Sequence, residues 1–221
     1  MLQPTSFSLL LEEPKPTLVV GLIPQRSLTL FTGGRESGKT ILALTLSQGV
    51  AAKYVFLQQP CQQFPVAFFS RYGTKDELYR LSQRVAPKLL PIDQERMSLY
   101  GCWEPDDVLP EMDGELLDTL ALDRFLVFDG IPEPRQTQDA NFGEEFLRKA
   151  QRLARRGPGV AIFGSEEWTT VQSIKNRVDV HFPIAKANDR ITLDALKTGR
   201  KAYLDLPHRD TYPFQIKITI E

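Results

Sequence analysis

The residues able to do chemistry are gathered in one run, Gly33-Gly34-Arg35-Glu36-Ser37-Gly38-Lys39-Thr40, which fits G-x-x-x-x-G-K-[ST] at every specified position. Such a run binds phosphate. Its glycines let the backbone curl with N–H groups facing inward, and a helix starting at its end adds about half a positive charge. In this arrangement Lys39 reaches the β- and γ-phosphates of a nucleotide, and the Thr40 hydroxyl sits on Mg²⁺. Together with Ile41, the run predicts a site for ATP and Mg²⁺. A glycine turn that merely caps a helix is the plain alternative.

The motif needs a strand before it and a helix after it. Residues 27–31, Ser-Leu-Thr-Leu-Phe, read as a short buried strand, and residues 41–52 carry good helix formers such as Leu42, Ala43, Leu44 and Leu46. Beyond them, apolar runs alternate with amphipathic stretches. A second strand is expected over 53–57, ended by Gln58-Gln59-Pro60, with helices over 63–72 and 75–86. Strand 97–103 and helix 105–120 follow, then the uniformly apolar strand 125–128 and a loop over 130–141. A helix over 144–156 stops at Gly157-Pro158-Gly159, and a buried strand over 160–163 leads into a polar loop through Arg177. The tail, 178–220, holds short alternating strands that extend the sheet in antiparallel fashion. This order predicts an α/β fold, a mostly parallel central sheet flanked by helices. The domain reading is an irregular arm over 1–17, marked by Pro4, Pro14 and Pro16, and a core over 18–221.

Asp129 stands directly after the apolar strand 125–128. The carboxyl end of such a strand is the ligand side of an α/β sheet, where an aspartate can anchor Mg²⁺ with Thr40. The alternative is a turn-capping aspartate, since Asp129-Gly130 is a common turn pair.

Composition narrows the field. With 221 residues the chain can build one substantial core, and a net charge of −1 argues against a constitutively basic nucleic-acid binder. Cys61 and Cys102 lack metal-ligand spacing, and His181 and His208 are far apart in sequence. No run is long and apolar enough to cross a membrane, and no positive charge precedes Leu9-Leu10-Leu11 as in a secretory signal, so a cytoplasmic protein is expected.

The stretch Gly21-Leu22-Ile23-Pro24 leading into strand and phosphate loop resembles the RecA-like ATPases, and within them the KaiC-like branch. So does the tail, with Lys197-Thr198-Gly199-Arg200 and then Tyr212-Pro213-Phe214. The resemblance covers residues 18–220 in order of elements, and only the phosphate loop is highly specific. It implies a RecA-type core that binds ATP between subunits of a ring or filament. It also implies cations near Lys197 and Arg200 that face a neighbour's γ-phosphate, although the spacing departs from the usual Lys-x-Arg. A Lys/Gly hairpin turn is the alternative there.

Two further positions depart from the family. The strand after the phosphate-loop helix usually ends in a glutamate that activates water; here Gln58 takes that place, and a glutamine cannot remove a proton near neutral pH. Slow hydrolysis is the expectation. After Ile162-Phe163-Gly164-Ser165 stands Glu166, either a carboxylate on the γ-phosphate side or a solvated loop charge. The stretch 168–177 occupies the place of the DNA-binding loop of RecA relatives, so Trp168, Lys175 and Arg177 are the candidate DNA contacts. Five cations, Arg148, Lys149, Arg152, Arg155 and Arg156, offer either a solvated face or a surface for an acidic partner. Three functions remain open: an ATP-dependent assembly or regulatory switch, a DNA motor, and a non-hydrolysing nucleotide scaffold.

Overall fold

The structure is a computed structural model; it describes residues 16–71, 73–85, 96–101, 114–130, 142–187, 190–195, 200–205 and 217–220. The expected arm (all but its last two residues), Cys102, most of the loop over 130–141, Lys197, His208 and Tyr212-Pro213-Phe214 lie outside those residues.

A short antiparallel pair, β1 (Thr17–Val19) and β2 (Ile23–Pro24), leads into β3 (Ser27–Gly33), whose seven residues are all buried. Helix α1 (Lys39–Ala51) follows the phosphate loop. Then come the small hairpin β4 (Val55–Phe56) and β5 (Gln59–Pro60), strand β6 (Val66–Ser70), helix α2 (Lys75–Val85), strand β7 (Met97–Gly101) and helix α3 (Glu115–Leu120). Strand β8 (Phe125–Asp129), helix α4 (Phe142–Arg156), strand β9 (Gly159–Ser165) and helix α5 (Thr169–Ile174) complete the alternation. The chain closes with β10 (Val180–Ala187), β11 (Arg190–Ala195), β12 (Arg200–Asp205) and β13 (Lys217–Ile220).

Among the described residues, nine strands form one sheet in the order β13-β12-β11-β10-β3-β9-β8-β6-β7. The six from β10 to β7 are parallel, and β11, β12 and β13 extend the sheet antiparallel. The expected α/β fold with antiparallel C-terminal strands is therefore present. The parallel strands are apolar runs because helices cover both faces. On one face α1 and α2 pack over Phe31, Phe163 and Phe182; on the other α3, α4 and α5 pack over Leu30, Phe69, Phe128 and Ile162. Phe31 stacks on Phe163 at 4.4 Å and on Phe182 at 4.9 Å, because in-register neighbours on parallel strands place their rings side by side. Cys61 is buried in this core, which pushes its thiol up to about 12, so it is an inert packing group.

Three expectations are corrected. Residues 53–57 are not the sheet's second strand: Lys53, Leu57 and Gln58 have φ of 54°, 50° and 59°, which ends extension after two residues. The strand following α1 is β6, inside the stretch expected as a helix over 63–72. Val66-Ala67-Phe68-Phe69 is a short apolar run, and periodicity alone does not separate strand from helix in such a run. The polar loop after β9 contains α5, which buries Val171 and Ile174. Helix 75–86 is found as α2, and the helix expected over 105–120 is found as α3 in its described part.

Candidate functional site

The carboxyl ends of the parallel strands lie level with one another. Gly33 pairs with Ser165, Asp129 with Phe163, and Ser70 with Asp129. The phosphate loop rises from the first of these ends. Gly33 admits no side chain: a Cβ there would lie 2.5 Å from Ser37 Oγ and 2.9 Å from the Ile184 carbonyl oxygen. Gly38 has φ 88° and Glu36 has φ 60°, so the loop enters α1 through left-handed backbone. Within α1 the first i→i−4 bond is Leu42 N–H to the Gly38 carbonyl. The amides of Lys39, Thr40 and Ile41 have no carbonyl inside the helix to meet, which is the donor set an anion uses at a helix start.

Lys39 curls over this loop. Its Nζ donates to the Gly34 carbonyl at 2.6 Å, the Gly33 carbonyl at 3.0 Å and Ser37 Oγ at 3.3 Å. Burial lowers its pKa, and the carboxylates of Asp129, Glu166 and Glu167 oppose that shift. Three acids thus act on the charge of the one lysine of the loop, and only Asp129 among them is deeply buried.

Asp129 has 3% exposure at the end of β8. Burial raises its carboxyl to about 6, against the opposing effect of hydrogen bonds from Thr40 and Ser70 and of the Lys39 charge. Its Oδ2 is buried without a hydrogen-bond partner among the described residues. A buried oxygen of this kind is costly unless something binds it, and a hard cation is the natural complement to a carboxylate–hydroxyl pair. Asp129 and Thr40 therefore fit Mg²⁺, and the loop with Lys39 fits the phosphates that accompany it.

The site residues expected from sequence divide sharply. Gly33 to Ile41, Asp129 and Glu166 come together at this edge. Gln58 does not: it sits in the β4–β5 hairpin beyond the other end of α1. Thirteen residues at about 1.5 Å each put roughly 20 Å between the two ends. The glutamine expected to replace a catalytic base is thus misplaced, because the strand it was assigned to is not in the sheet. The residue at the end of the true strand is Ser70, whose hydroxyl bonds Asp129. Arg200 opens β12, and Lys197 lies outside the described residues.

The residues expected as DNA contacts lie around α5. Trp168 packs on the core beside α5, Arg177 pairs with Glu144, and Lys175 lines a cleft with Thr32, Glu166 and His181. On α4, Lys149 pairs with Glu145 at 2.8 Å, and Arg152 and Arg156 both pair with Asp118 at 3.2 and 3.0 Å. That helix is therefore not an unbroken basic face. Thr32, His181 and Ser70 are polar groups at the site that sequence reading missed. Thr32 and Ser70 stand at or near the end of an apolar run, the signal that could have marked them; His181 stands near the start of β10 and carries no such signal.

No protein-family model matches the chain, and no curated protein does. Among solved structures, it is similar to the crystal structure of the flagellar accessory protein FlaH from Methanocaldococcus jannaschii. That match has 14% identity and a TM-score of 0.58, and covers 90% of this chain and 91% of that one. The likeness is one of fold, and the fold is RecA-like. No helix among the described residues is long and apolar enough to cross a membrane.

Proposed function

We propose that the chain binds Mg·ATP at the phosphate loop, hydrolyses it slowly, and uses the nucleotide as a switch for assembly or partner binding. The observation that carries this reading is the buried, partnerless Oδ2 of Asp129 beside Thr40 and the Lys39-bearing loop. When bound, Mg²⁺ would neutralise charge on the phosphates. The chain's own residues supply the rest. Thr40 and Asp129 hold the metal, Lys39 Nζ exchanges loop carbonyls for phosphate oxygens, and the first-turn amides receive the remaining charge. Glu166, close enough to act on Lys39, is the carboxylate available to orient water.

Slow turnover follows from the strand ends. Ser70 stands where an acid would be most effective, and a hydroxyl already bonded to Asp129 is no base near neutral pH. The same observation favours a second reading, a nucleotide scaffold that does not hydrolyse. Within the RecA-like fold the KaiC-like branch fits the Gly21-to-Pro24 segment and the tail, and it brings a site shared between subunits, with Lys197 and Arg200 reaching a neighbour.

Native mass measurement with and without Mg·ATP, with turnover followed in parallel, tests the proposal. Nucleotide-dependent assembly with slow turnover supports the switch, and ATP retained without turnover supports the scaffold. Stimulation by single-stranded DNA would overturn both in favour of a motor. Mixing Lys39→Ala subunits with Lys197→Ala/Arg200→Ala subunits restores part of the activity if sites are shared.

A further inference from the structure

On the α5 face of the sheet lies a polar group that phosphate binding does not explain. Thr32 is 1% exposed on β3, and His181 is 9% exposed on the adjacent β10. Thr32 Oγ1 lies 2.9 Å from His181 Nε2 and donates to Glu166 Oε1 at 3.3 Å. A hydroxyl has a single proton to give, and a carboxylate only accepts. With the Thr32 proton directed to Glu166, Thr32 must accept from histidine, so His181 Nε2 carries a proton. The neutral Nε2–H tautomer and the imidazolium both satisfy this chain; the Nδ1–H tautomer breaks it.

We propose that His181 and Thr32 are positioning residues, a one-way hydrogen-bond chain that holds the Glu166 carboxylate beside Lys39 for its work on water at the γ-phosphate. The inference rests on the role of Glu166 given above. Glu166 is otherwise an exposed side chain that would sample several rotamers, and ordering such a group is what a fixed donor can do. One more contact ties this segment to α5, where Gln172 donates to the Glu166 carbonyl; Lys175, just past that helix, lines the same cleft of about 280 Å³ into which Thr32 and His181 open. Glu166 and Lys175 are the charged groups facing His181 in that cleft, and Gln172 and Asn176 are its neutral polar neighbours.

The test has two arms. Nitrogen NMR of the chain's two histidines, with His208→Gln to assign them, reads the tautomer directly. A protonated Nε2 on His181, whose signal shifts in Thr32→Val and in Glu166→Gln, is expected; an Nδ1–H tautomer overturns the chain whether or not ATP is hydrolysed. The second arm compares single-turnover hydrolysis with binding of a fluorescent ATP analogue. Thr32→Val should slow turnover about tenfold at unchanged affinity, since orientation and not phosphate contact is lost. Thr32→Ser, which keeps the hydroxyl, should restore it. In a Glu166→Gln background Thr32→Val should do nothing more. Equal losses in both backgrounds, or none in either, refute positioning through Glu166. Failure of the parent protein to bind nucleotide would instead sink the ATP reading, leaving the tautomer to decide the chain.

Discussion

Helix α1 separates two turns built on the same unusual backbone. At its start Glu36 and Gly38 have φ of 60° and 88°, and beyond its far end Lys53, Leu57 and Gln58 have φ of 54°, 50° and 59°. At the first turn Lys39 folds over loop carbonyls and faces three carboxylates. At the second, Leu57 and Gln58 link the paired residues Phe56 and Gln59, a two-residue hairpin turn with both central φ positive. Leu57 is buried against the core there, 1% exposed. Left-handed backbone therefore does not identify a working site in this chain. What distinguishes the loop end is the kind of unmet buried oxygen: Asp129 Oδ2 belongs to a carboxyl beside Thr40 and Lys39, whereas Gln48 Oε1, in the last turn of α1, belongs to a neutral amide whose Nε2 donates to the Ser82 carbonyl.

The largest effect that can break this contrast is on affinity. Lys39→Ala should weaken Mg·ATP binding by about 10²–10⁴-fold, since charge-assisted contacts contribute on the order of 1.5–3 kcal/mol each and two phosphates are involved. Lys53→Ala, the matching change at the other turn, should leave binding unchanged. Titration with a fluorescent ATP analogue checks both, and equal affinities for the two variants would erase the distinction.

Asp129→Asn comes next. The fold raises this carboxyl from 3.8 to about 6, so the protonated form is the one the folded state prefers. The sign follows: its contribution is present below pH 3.8 and is lost as pH rises through 6, about 3 kcal/mol in all. Without nucleotide, the variant should melt higher than the parent at pH 7.5 and no higher at pH 3.5. It should also lose the Mg²⁺-dependent part of ATP binding. Thermal melts across that range decide the matter, and no gain at pH 7.5 would mean that Asp129 is not held against its ionisation.

Gly38→Ala should cost about 1–2 kcal/mol, the left-handed penalty of an L residue, and should weaken nucleotide binding as well. Gln58→Gly should do the reverse at the hairpin, a gain of about 0.5–1 kcal/mol in denaturant melts with turnover unaltered. Gln58→Glu should likewise leave turnover where it is. A faster Gln58→Glu protein would bring the hairpin into the active site and contradict the distance along α1.

The sequence showed the loop because its chemistry is local: eight consecutive residues set the turn, the cation and the helix start. Asp129 was legible for a related reason, since an acid ending an apolar strand has few other uses. Strand β6 was not, because four apolar residues carry no usable period and the preceding 53–57 looked more extended than it is. The Thr32–His181–Glu166 chain was invisible for a different reason. Its members come from three strands or their ends, Thr32 lying 134 and 149 residues before Glu166 and His181, and only the register of β3 with β9 and β10 brings them together.

That register also sets a clock on synthesis. The strand that carries the loop, β3, is flanked by β9 and β10, and Leu28 on β3 donates its amide to Asp179, 151 residues further along. A ribosome adding roughly 5–20 residues per second leaves this apolar strand without its partners for about 8–30 s. For that interval the segment that carries the phosphate loop is an unpaired apolar strand, the kind of surface a chaperone shelters.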